Sequence, residues 1–233
     1  MRLDPRGGHN RKQVNENFFK TWSAQMAYIL GLVYSDGTIE DVRKSSRACY
    51  MQITSKNKKY LSLVKKTLKS NHAIYTRKPH RSFIQGKLVE GGKHYYLRIG
   101  NRVLYSDLVK IGLTPKKSLT MKLPRIPNKY LNFFLRGYFD GDGSICVYKP
   151  KGRQAVQLSL VFTGGSMVFL TQLAETIKRK FKYNNQKRIY RNSGAYTLKY
   201  SKKQSLKLLS FMYEGLNSAP FLEKKYQIFQ KFS

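Results

Sequence analysis

Acidic side chains, cysteines and long apolar runs are scarce in this 233-residue sequence. Its 12 Asp and Glu face 45 Lys and Arg, which leaves a formal net charge of +33. Two cysteines are too few for a disulfide scaffold, and four scattered histidines show no zinc-site spacing. No apolar run reaches the roughly 18 residues of a membrane-spanning helix, and the first residues lack the apolar stretch of a secretion signal. We therefore expect an intracellular protein without a membrane partner.

The positive charge that remains indicates a polyanionic partner. A chain that is 41% hydrophobic and 13% aromatic can build a core, so a disordered polycation is excluded. A folded protein of such charge repels itself until a polyanion neutralises it. Nucleic acid is the first candidate, because neutralising phosphates releases counterions and drives binding. By charge alone, an RNA-binding protein of the ribosomal type fits as well.

The sequence contains one internal repeat. The segment from Tyr28 to Ile39 matches the segment from Phe134 to Ile145, 106 positions later, in its aromatic start, its glycine, its Asp-Gly pair and its Thr/Ser-Ile end. The match continues downstream with a displacement of 109, so the second copy contains three additional residues. Each copy has the pattern helix, hairpin, helix, hairpin, helix, which predicts an α+β fold of two related units. The expected division is 1–14 as a basic arm, 15–111 as the first repeat, 112–128 as a linker and 129–233 as the second repeat.

Matched aspartates form the strongest chemical signal. Asp36 and Asp142 occupy the same place in the two copies, each at the predicted end of an apolar helix and before a glycine suited to a left-handed helix exit. Gly31 and Gly137, five residues earlier, permit two helices to pack closely. If these helices lie side by side, their carbonyl ends and two carboxylates form a cluster of hard oxygen donors. Such a cluster favours Mg²⁺ (or Mn²⁺), and a divalent metal facing phosphodiesters indicates phosphoryl transfer.

The two motifs resemble those of the LAGLIDADG homing endonucleases. Residues 135–143 (LRGYFDGDG) match the family motif strongly, and residues 29–37 (ILGLVYSDG) match it well. The linker sequence LTPKKS at 113–118 also resembles that of single-chain members, and the resemblance extends over about 18–230. It implies tandem αββαββα units related by a pseudo-twofold axis, with the motif helices at the interface and antiparallel sheets forming a DNA-binding saddle.

The same resemblance implies an activity. A monomer would bind a long double-stranded target in the major groove and make a metal-dependent break across the minor groove, with short 3′ overhangs. Asp36 and Asp142 match the metal-binding acids of the family, one for each strand. Tyr34 stands where the second copy has Asp140, so we expect Asp140 to be accessory or structural.

Outward positions of the hairpins supply the expected DNA contacts, because a two-stranded ribbon fits the major groove. The expected contact residues are Arg43, Lys44, Arg47, Tyr50, Gln52, Arg77, Lys78, Arg81, Tyr96, Arg98, Lys149, Lys151, Arg153, Gln157, Ser159, Arg188, Arg191, Thr197 and Lys199. Arg98 and Lys199 are matched between the copies, and we expect them also to be catalytic, stabilising the scissile phosphate. Cys49 and Cys146 are expected to be small core residues.

Two alternatives remain open on the same scaffold. One is a maturase that binds intron RNA, since a positive surface suits RNA as well as DNA. The other is a DNA-binding regulator that does not cut, although the presence of both motif acids argues against it.

Overall fold

Two α+β repeats, each built on a four-stranded antiparallel sheet, make up the fold. The computed structural model describes residues 12–46, 48–79, 81–84, 87–149, 156–184, 188–192 and 194–232. In the first repeat the elements are α1 (Ala24–Asp36), β1 (Gly37–Asp41), α2 (Arg43–Ser46), β2 (Cys49–Ser55), α3 (Lys58–Thr67), β3 (Ile74–Arg77), β4 (Arg81–Ile84), β5 (Lys87–Glu90), β6 (His94–Gly100) and α4 (Arg102–Ile111). In the second they are α5 (Leu131–Asp142), β7 (Gly143–Tyr148), β8 (Gln157–Gly164), α6 (Met167–Phe181), β9 (Ile189–Asn192), β10 (Ala195–Lys199), α7 (Lys202–Tyr213) and α8 (Glu223–Gln230).

Side-chain caps set the starts of several helices. Ser23 accepts a hydrogen bond from the Met26 amide and begins α1, as its residue type predicts. Asn57, Asn101 and Ser166 cap α3, α4 and α6 in the same way. Every residue of α1 from Met26 to Tyr34 is buried, because the helix is covered on all sides.

The two sheets share one topology. Their strand orders are β1-β2-β6-β3 and β7-β8-β10-β9. Gly37 pairs with Ile53 in the first sheet and Gly143 pairs with Phe162 in the second, which reproduces the displacements of 106 and 109 found in the sequence. Thus the predicted α+β duplication is confirmed. Alternate residues of β2 and β8 face the core, and their neighbours lie on the opposite surface, called here the open face.

α1 and α5 pack backbone against backbone at the centre of the molecule. A Cβ atom placed on Gly31 would lie 2.2 Å from the Phe134 carbonyl oxygen, and one on Gly137 would lie 2.0 Å from the Tyr28 carbonyl oxygen. Each glycine therefore faces the residue three positions before its counterpart on the other helix. Such reciprocal contacts are typical of two units related by a twofold axis, and here the two units are the halves of one chain.

Two features differ from expectation. Gly37 (φ −93°) and Gly143 (φ −98°) leave their helices in extended conformation, not the left-handed one. Glycine is required there for space, because an added Cβ would lie 2.6 Å from Val33 Cα or 2.2 Å from a ring carbon of Phe139. Cys49 is buried as expected, but Cys146 is exposed, since it pairs with Ser159 on the open face.

The first repeat also has an additional hairpin, β4–β5, and the second has an additional helix, α8. The linker at 112–128 contains a 3₁₀ turn at Lys117–Leu119, and the carbonyl oxygen of Met121 accepts a hydrogen bond from the Ser166 hydroxyl. Near the start of the described chain, the Gln13 amide donates to the side-chain oxygen of Asn71, and the Asn71 amide donates to the Gln13 carbonyl oxygen. Among the described residues, no helix has the length and apolar character that crossing a membrane requires.

Candidate metal and nucleic-acid site

Asp36 and Asp142 are the last residues of α1 and α5, and the glycine packing brings both helix ends together. A Cβ atom on Gly141 would lie 3.1 Å from Oδ2 of Asp36 and 2.0 Å from the hydroxyl of Ser35. Gly141, the residue that precedes Asp142, therefore lies next to the Asp36 carboxylate. The structure thus brings the two predicted acids to one place, at the twofold axis.

Burial perturbs the pKa of both carboxyl groups. Burial, together with the negative charge of Asp142, raises the pKa of Asp36 to about 6, against the lowering effect of Lys225 and Lys117. Burial also raises the pKa of Asp142, against the lowering effect of Lys117 and Lys225. Within the described chain, no hydrogen bond or ion pair is recorded for either carboxylate. Two half-buried carboxylates without partners form an unfavourable arrangement unless a cation joins them.

Two lysines outside the motifs hold the ends of the motif helices. Lys117 Nζ donates to the carbonyl oxygens of Tyr34 (2.8 Å) and Ser35 (3.3 Å) in the last turn of α1. The final carbonyls of a helix have no partner within the helix and carry its negative pole, so an ammonium group is stabilising there.

Lys225 does the same for α5. Its Nζ donates to the carbonyl oxygens of Phe139 (2.5 Å), Asp140 (2.9 Å) and Gly143 (2.7 Å). The two lysines are thus related by the pseudo-twofold axis, although they lie in unrelated parts of the sequence.

Both lysines are electrostatically coupled to the aspartates. Burial lowers the pKa of Lys117 to about 8, although the charges of Asp142 and Asp36 oppose that shift. Burial lowers the pKa of Lys225 too, and Asp140, Asp36 and Asp142 oppose it. The site therefore consists of two carboxylates flanked by two ammonium groups.

The donor set fits a divalent cation that keeps open positions. No group of three or more His, Cys, Asp or Glu side chains that could hold a metal occurs in the described part of the chain. Several carbonyls at the helix ends already accept from the lysines, whereas neither carboxylate makes a hydrogen bond within the described residues, so the carboxylates are the candidate donors to a metal. Mg²⁺ is commonly bound by one or two carboxylates together with waters and substrate phosphates.

Asp140 belongs to a different environment. It is 5% exposed, and its Oδ2 accepts hydrogen bonds from the Tyr28 hydroxyl and the Leu222 amide, each at 2.8 Å. The Tyr28 hydroxyl is itself hydrogen-bonded to the Tyr60 hydroxyl. Asp140 is therefore part of a buried network and is not directed toward a ligand.

The open face of each sheet begins next to the motif aspartates. Thr38, two residues after Asp36, shares a cross-strand row with Gln52 and Arg98. In the second sheet, the equivalent row contains Ser144, Val161 and Lys199. Register therefore confirms that Arg98 and Lys199 correspond to each other.

Ion pairs and rings surround the basic side chains of the open face. Arg98 pairs with Glu40 at 2.7 Å and stacks 4.2 Å above the ring of Tyr50, and Lys199 lies 5.7 Å from the ring of Tyr148. The cations that act on the two aspartates are Lys117 and Lys225. Catalysis by Arg98 and Lys199 stays a prediction.

Many expected contact residues lie on the open face or at the exposed ends of the hairpins. On the open face are Tyr50, Gln52, Arg77, Tyr96, Arg98, Gln157, Thr197 and Lys199. Exposed at or near strand ends are Arg43, Lys44, Lys78, Lys149 and Arg188. Arg43 is held by Asp41 through a side-chain ion pair of 2.5 Å.

Two expected contacts are placed otherwise. Ser159 is on the open face but is only 4% exposed, so its hydroxyl is covered by its neighbours. Arg191 pairs with Tyr196, whose side chain packs against the core, so Arg191 lies on the opposite side of the sheet from the open face. Arg47, Lys151 and Arg153 lie outside the described residues, as does the side chain of Arg81, whose backbone is in β4.

Lys117 and Lys225 are the functional candidates that sequence reasoning missed. They do not belong to the repeated pattern, and nothing in the sequence distinguishes them from the other residues among the 45 Lys and Arg. One sequence feature could have indicated Lys117: it lies in the segment LTPKKS, which resembles the linker of single-chain family members.

The LAGLIDADG endonuclease family model matches residues 135–233 of this chain. No curated protein sequence matches the chain. Among solved structures, the homing endonuclease I-WcaI bound to its DNA recognition sequence is 17% identical, with a TM-score of 0.56 over 95% of this chain and 93% of that one. I-DmoI in complex with DNA and Ca is 14% identical, with a TM-score of 0.57 over 92% and 98%.

A third structure, the LAGLIDADG meganuclease I-CpaMI bound to uncleaved DNA, is 12% identical, with a TM-score of 0.57 over 91% of this chain and 90% of that chain. At such identities the likeness concerns the fold, and it extends over both repeats. The resemblance that the motifs carry is confirmed: the second repeat matches the LAGLIDADG endonuclease family, and the whole chain has the two-repeat fold of single-chain LAGLIDADG meganucleases.

Proposed function

We propose that this protein is a DNA-binding nuclease, a site-specific homing endonuclease that makes a divalent-metal-dependent double-strand break. The observation that carries the proposal is the meeting of Asp36 and Asp142 at the pseudo-twofold axis, next to Lys117 and Lys225 and without a hydrogen bond or ion pair among the described residues. A structural role does not explain this arrangement, because two unpaired, half-buried carboxylates destabilise the fold.

The two aspartates would hold the divalent ion, Mg²⁺ or Mn²⁺. Such an ion, when bound, supplies Lewis-acid activation of the scissile phosphates and of water. The duplication provides one aspartate and one lysine for each DNA strand, from the matched pairs Asp36 and Asp142, Lys117 and Lys225. Two equivalent half-sites are what a double-strand break requires.

The lysines would provide positive charge to the phosphate that develops extra negative charge during hydrolysis. Each ammonium group is held in place before substrate binds, by two or three carbonyl oxygens. Charge that is organised in advance and partly buried stabilises a transition state more strongly than mobile surface charge. The lowered pKa of Lys117, about 8, also permits proton exchange with water near neutral pH.

The open faces would lie in the major groove of a long duplex. Gln52 and Arg98 can each make paired hydrogen bonds to a base edge, Gln to adenine and Arg to guanine. Exposed lysines such as Lys44, Lys78 and Lys149 would contact phosphates, which position the duplex without reading it. The two open faces differ in residue type, so the proposed target is asymmetric and is bound by a monomer.

Cleavage of a randomised duplex library with Mg²⁺ tests the proposal. The wild-type chain is expected to select one site and cut both strands with short 3′ overhangs. Asp36→Asn and Asp142→Asn should bind the selected duplex but leave it uncut. Glu175→Gln, which neutralises an exposed carboxylate on the outer helix α6, is the matched control and should cut normally.

The same experiment separates the alternatives. Full cutting by both aspartate variants would remove the carboxylates from the chemistry. Binding of a duplex without cutting under any divalent metal would indicate a regulator, and tight binding of an intron RNA without DNA cleavage would indicate a maturase.

A further inference from the structure

Polar side chains of α5 hold the segment between α7 and α8. Arg136 and Asp140 are four residues apart, so they lie on one face of α5. Arg136 donates to the carbonyl oxygens of Met212 (3.2 Å) and Ala219 (3.1 Å), and Asp140 accepts from the amide of Leu222 (2.8 Å). The beginning and the end of this segment are therefore both attached to the motif helix of the second repeat.

The Asp140 contact is made at the start of α8. Leu222 is the N-cap residue, and its side chain offers no oxygen that could satisfy a helix amide. A carboxylate at this position satisfies an otherwise unpaired amide and also interacts favourably with the positive helix pole. One turn further along, α8 carries Lys225, whose Nζ returns to the end of α5.

The first repeat holds its lysine in another way. At the positions equivalent to Arg136 and Asp140 it has Leu30 and Tyr34, and no hydrogen-bond partner is recorded for the Tyr34 hydroxyl within the described residues. Lys117 belongs to a 3₁₀ turn in the connection that follows α4. The two lysines thus reach equivalent positions by different supports, one of which depends on a buried polar network.

We infer that Asp140, assisted by Arg136, is a positioning residue: it anchors α8 so that the ammonium group of Lys225 lies at the end of α5. This inference rests on the proposed function, because the consequence of moving Lys225 is read as cleavage of one strand. It explains why the two copies differ at this position. Both hydrogen bonds of Asp140 are made by Oδ2 at 5% exposure, so the residue acts through α8 and not on DNA.

The test compares Asp140→Leu with Asp140→Asn on a duplex labelled on each strand in turn. Asp140→Leu is expected to slow one strand by about 10- to 100-fold, the usual cost of removing a residue that orients a catalytic group. The other strand should be cut at nearly the wild-type rate, so nicked product accumulates. Asp140→Asn should cut the two strands at equal rates, as expected for the wild type. Its amide oxygen can still accept hydrogen bonds from the Leu222 amide and the Tyr28 hydroxyl. Equal slowing of both strands would overturn the inference.

A double-variant cycle tests whether Asp140 acts through Lys225. Lys225→Met should slow the same strand, and adding Asp140→Leu to it should cause little further loss, because the two changes share one effect. Multiplicative losses would contradict the inference. Leu173→Ala, which creates a cavity in the core under α6, is the control for general destabilisation and should not create a bias between strands.

Hydrogen exchange provides a readout that does not depend on cleavage. In the full-length protein without DNA, Asp140→Leu should lower protection of amides 222–230 by at least 10-fold relative to wild type, while Asp140→Asn retains it. Unchanged protection in Asp140→Leu would overturn the inference whatever the activity. If the wild type cuts no duplex but the exchange result holds, the proposed function fails while the anchoring of α8 stands.

Discussion

Four charged residues at the helix ends, Asp36, Asp142, Lys117 and Lys225, illustrate how burial changes the chemistry of ordinary side chains. Burial raises the pKa of both aspartates and lowers the pKa of both lysines. Each group alone would favour its neutral form, and each is kept charged in part by its neighbours of opposite sign. The result is a site that gains stability when it receives a cation between the carboxylates and phosphates beside the lysines.

The first prediction at this scale concerns stability. The pKa of Asp36 is raised from 3.8 to about 6, so the folded state binds more protons than the unfolded state between these values. Stability should therefore fall as pH rises from about 4 to about 6, and Asp36→Asn should remove that loss. At pH 7.5 without divalent metal, Asp36→Asn should raise the free energy of unfolding by about 2–3 kcal/mol.

Chemical denaturation at several pH values, with and without Mg²⁺, measures the pH dependence of stability and the effect of Asp36→Asn. Mg²⁺ should stabilise the wild type against unfolding and have little effect on Asp36→Asn, because a ligand that binds only the folded state stabilises by mass action. Glu175→Gln again serves as the control. A variant less stable than wild type at pH 7.5 would contradict the prediction.

The second prediction concerns Lys117. Lys117→Met should reduce the rate of cleavage by about 10²–10³-fold, as for loss of one preorganised charge donor. Its effect on DNA affinity should be small, because one contact among many is removed. Single-turnover kinetics with a saturating amount of enzyme separates the two effects. Lys116→Met, the exposed neighbour in the chain, is the matched control, and equal losses in both variants would argue against a specific role.

At the scale of elements, close contact between α1 and α5 creates the site. The helices approach until the Cα atoms of Gly31 and Gly137 face carbonyl oxygens of the other helix. Because the two backbones are so close, the last carbonyl groups of both helices, as well as the two aspartate side chains, lie in one cluster. The flanking glycines Gly37 and Gly143 then direct each chain straight into a strand, which places the open face next to the acids.

A glycine substitution series tests this packing. Gly31→Ala and Gly137→Ala place a Cβ at 2.2 and 2.0 Å from a backbone oxygen, where neither helix can move without loss of contacts elsewhere. Each should lower the free energy of unfolding by about 1–3 kcal/mol, the usual cost of overpacking. Gly92→Ala is the control, because no atom lies within 4 Å of its added Cβ. Thermal unfolding measures all three, and equal stability among them would show that the helices are not in close contact.

At the scale of the whole molecule, the net charge of +33 is larger than one small binding site would require, and it suits an extended interface with DNA phosphates. If the open faces bind DNA through about 6–10 phosphates, raising salt from about 50 to 200 mM should weaken binding by about 10³–10⁵-fold. Titration of a fluorescent cognate duplex at several salt concentrations measures the slope. A flat response would contradict a phosphate-based interface.

The two cysteines allow the location of the interface to be tested. Cys146 is exposed on the open face of the second sheet, and Cys49 is buried behind the first sheet. A thiol reagent should modify Cys146 in the free protein, and cognate DNA should slow that reaction. Cys49 should react only after unfolding, with or without DNA, and so reports the folded fraction. Equal modification of Cys146 in the presence and absence of DNA would place the duplex elsewhere.

Much of this molecule was predictable because its signals are local or repeated. The duplication, the cap at Ser23, the alternation of β2 and β8 and the pairing of Asp36 with Asp142 all follow from residue order, since helix and strand periods act over a few neighbours. The extra hairpin β4–β5, the helix α8 and the exposure of Cys146 were not predicted. Each of these features depends on how elements distant in the sequence pack against one another.

The sequence by itself determined that two related units meet through glycine-bearing helices and bring two acids together, because a repeated motif imposes matched positions on any symmetric fold. Only the tertiary structure decided which cations serve those acids. Lys117 and Lys225 lie 108 residues apart in unlike contexts, and their common role arises because a helix end attracts any ammonium group that the folded chain carries to it. The structure likewise decided that Asp140 is directed to α8, since a hydrogen bond to Leu222 depends on how distant segments pack.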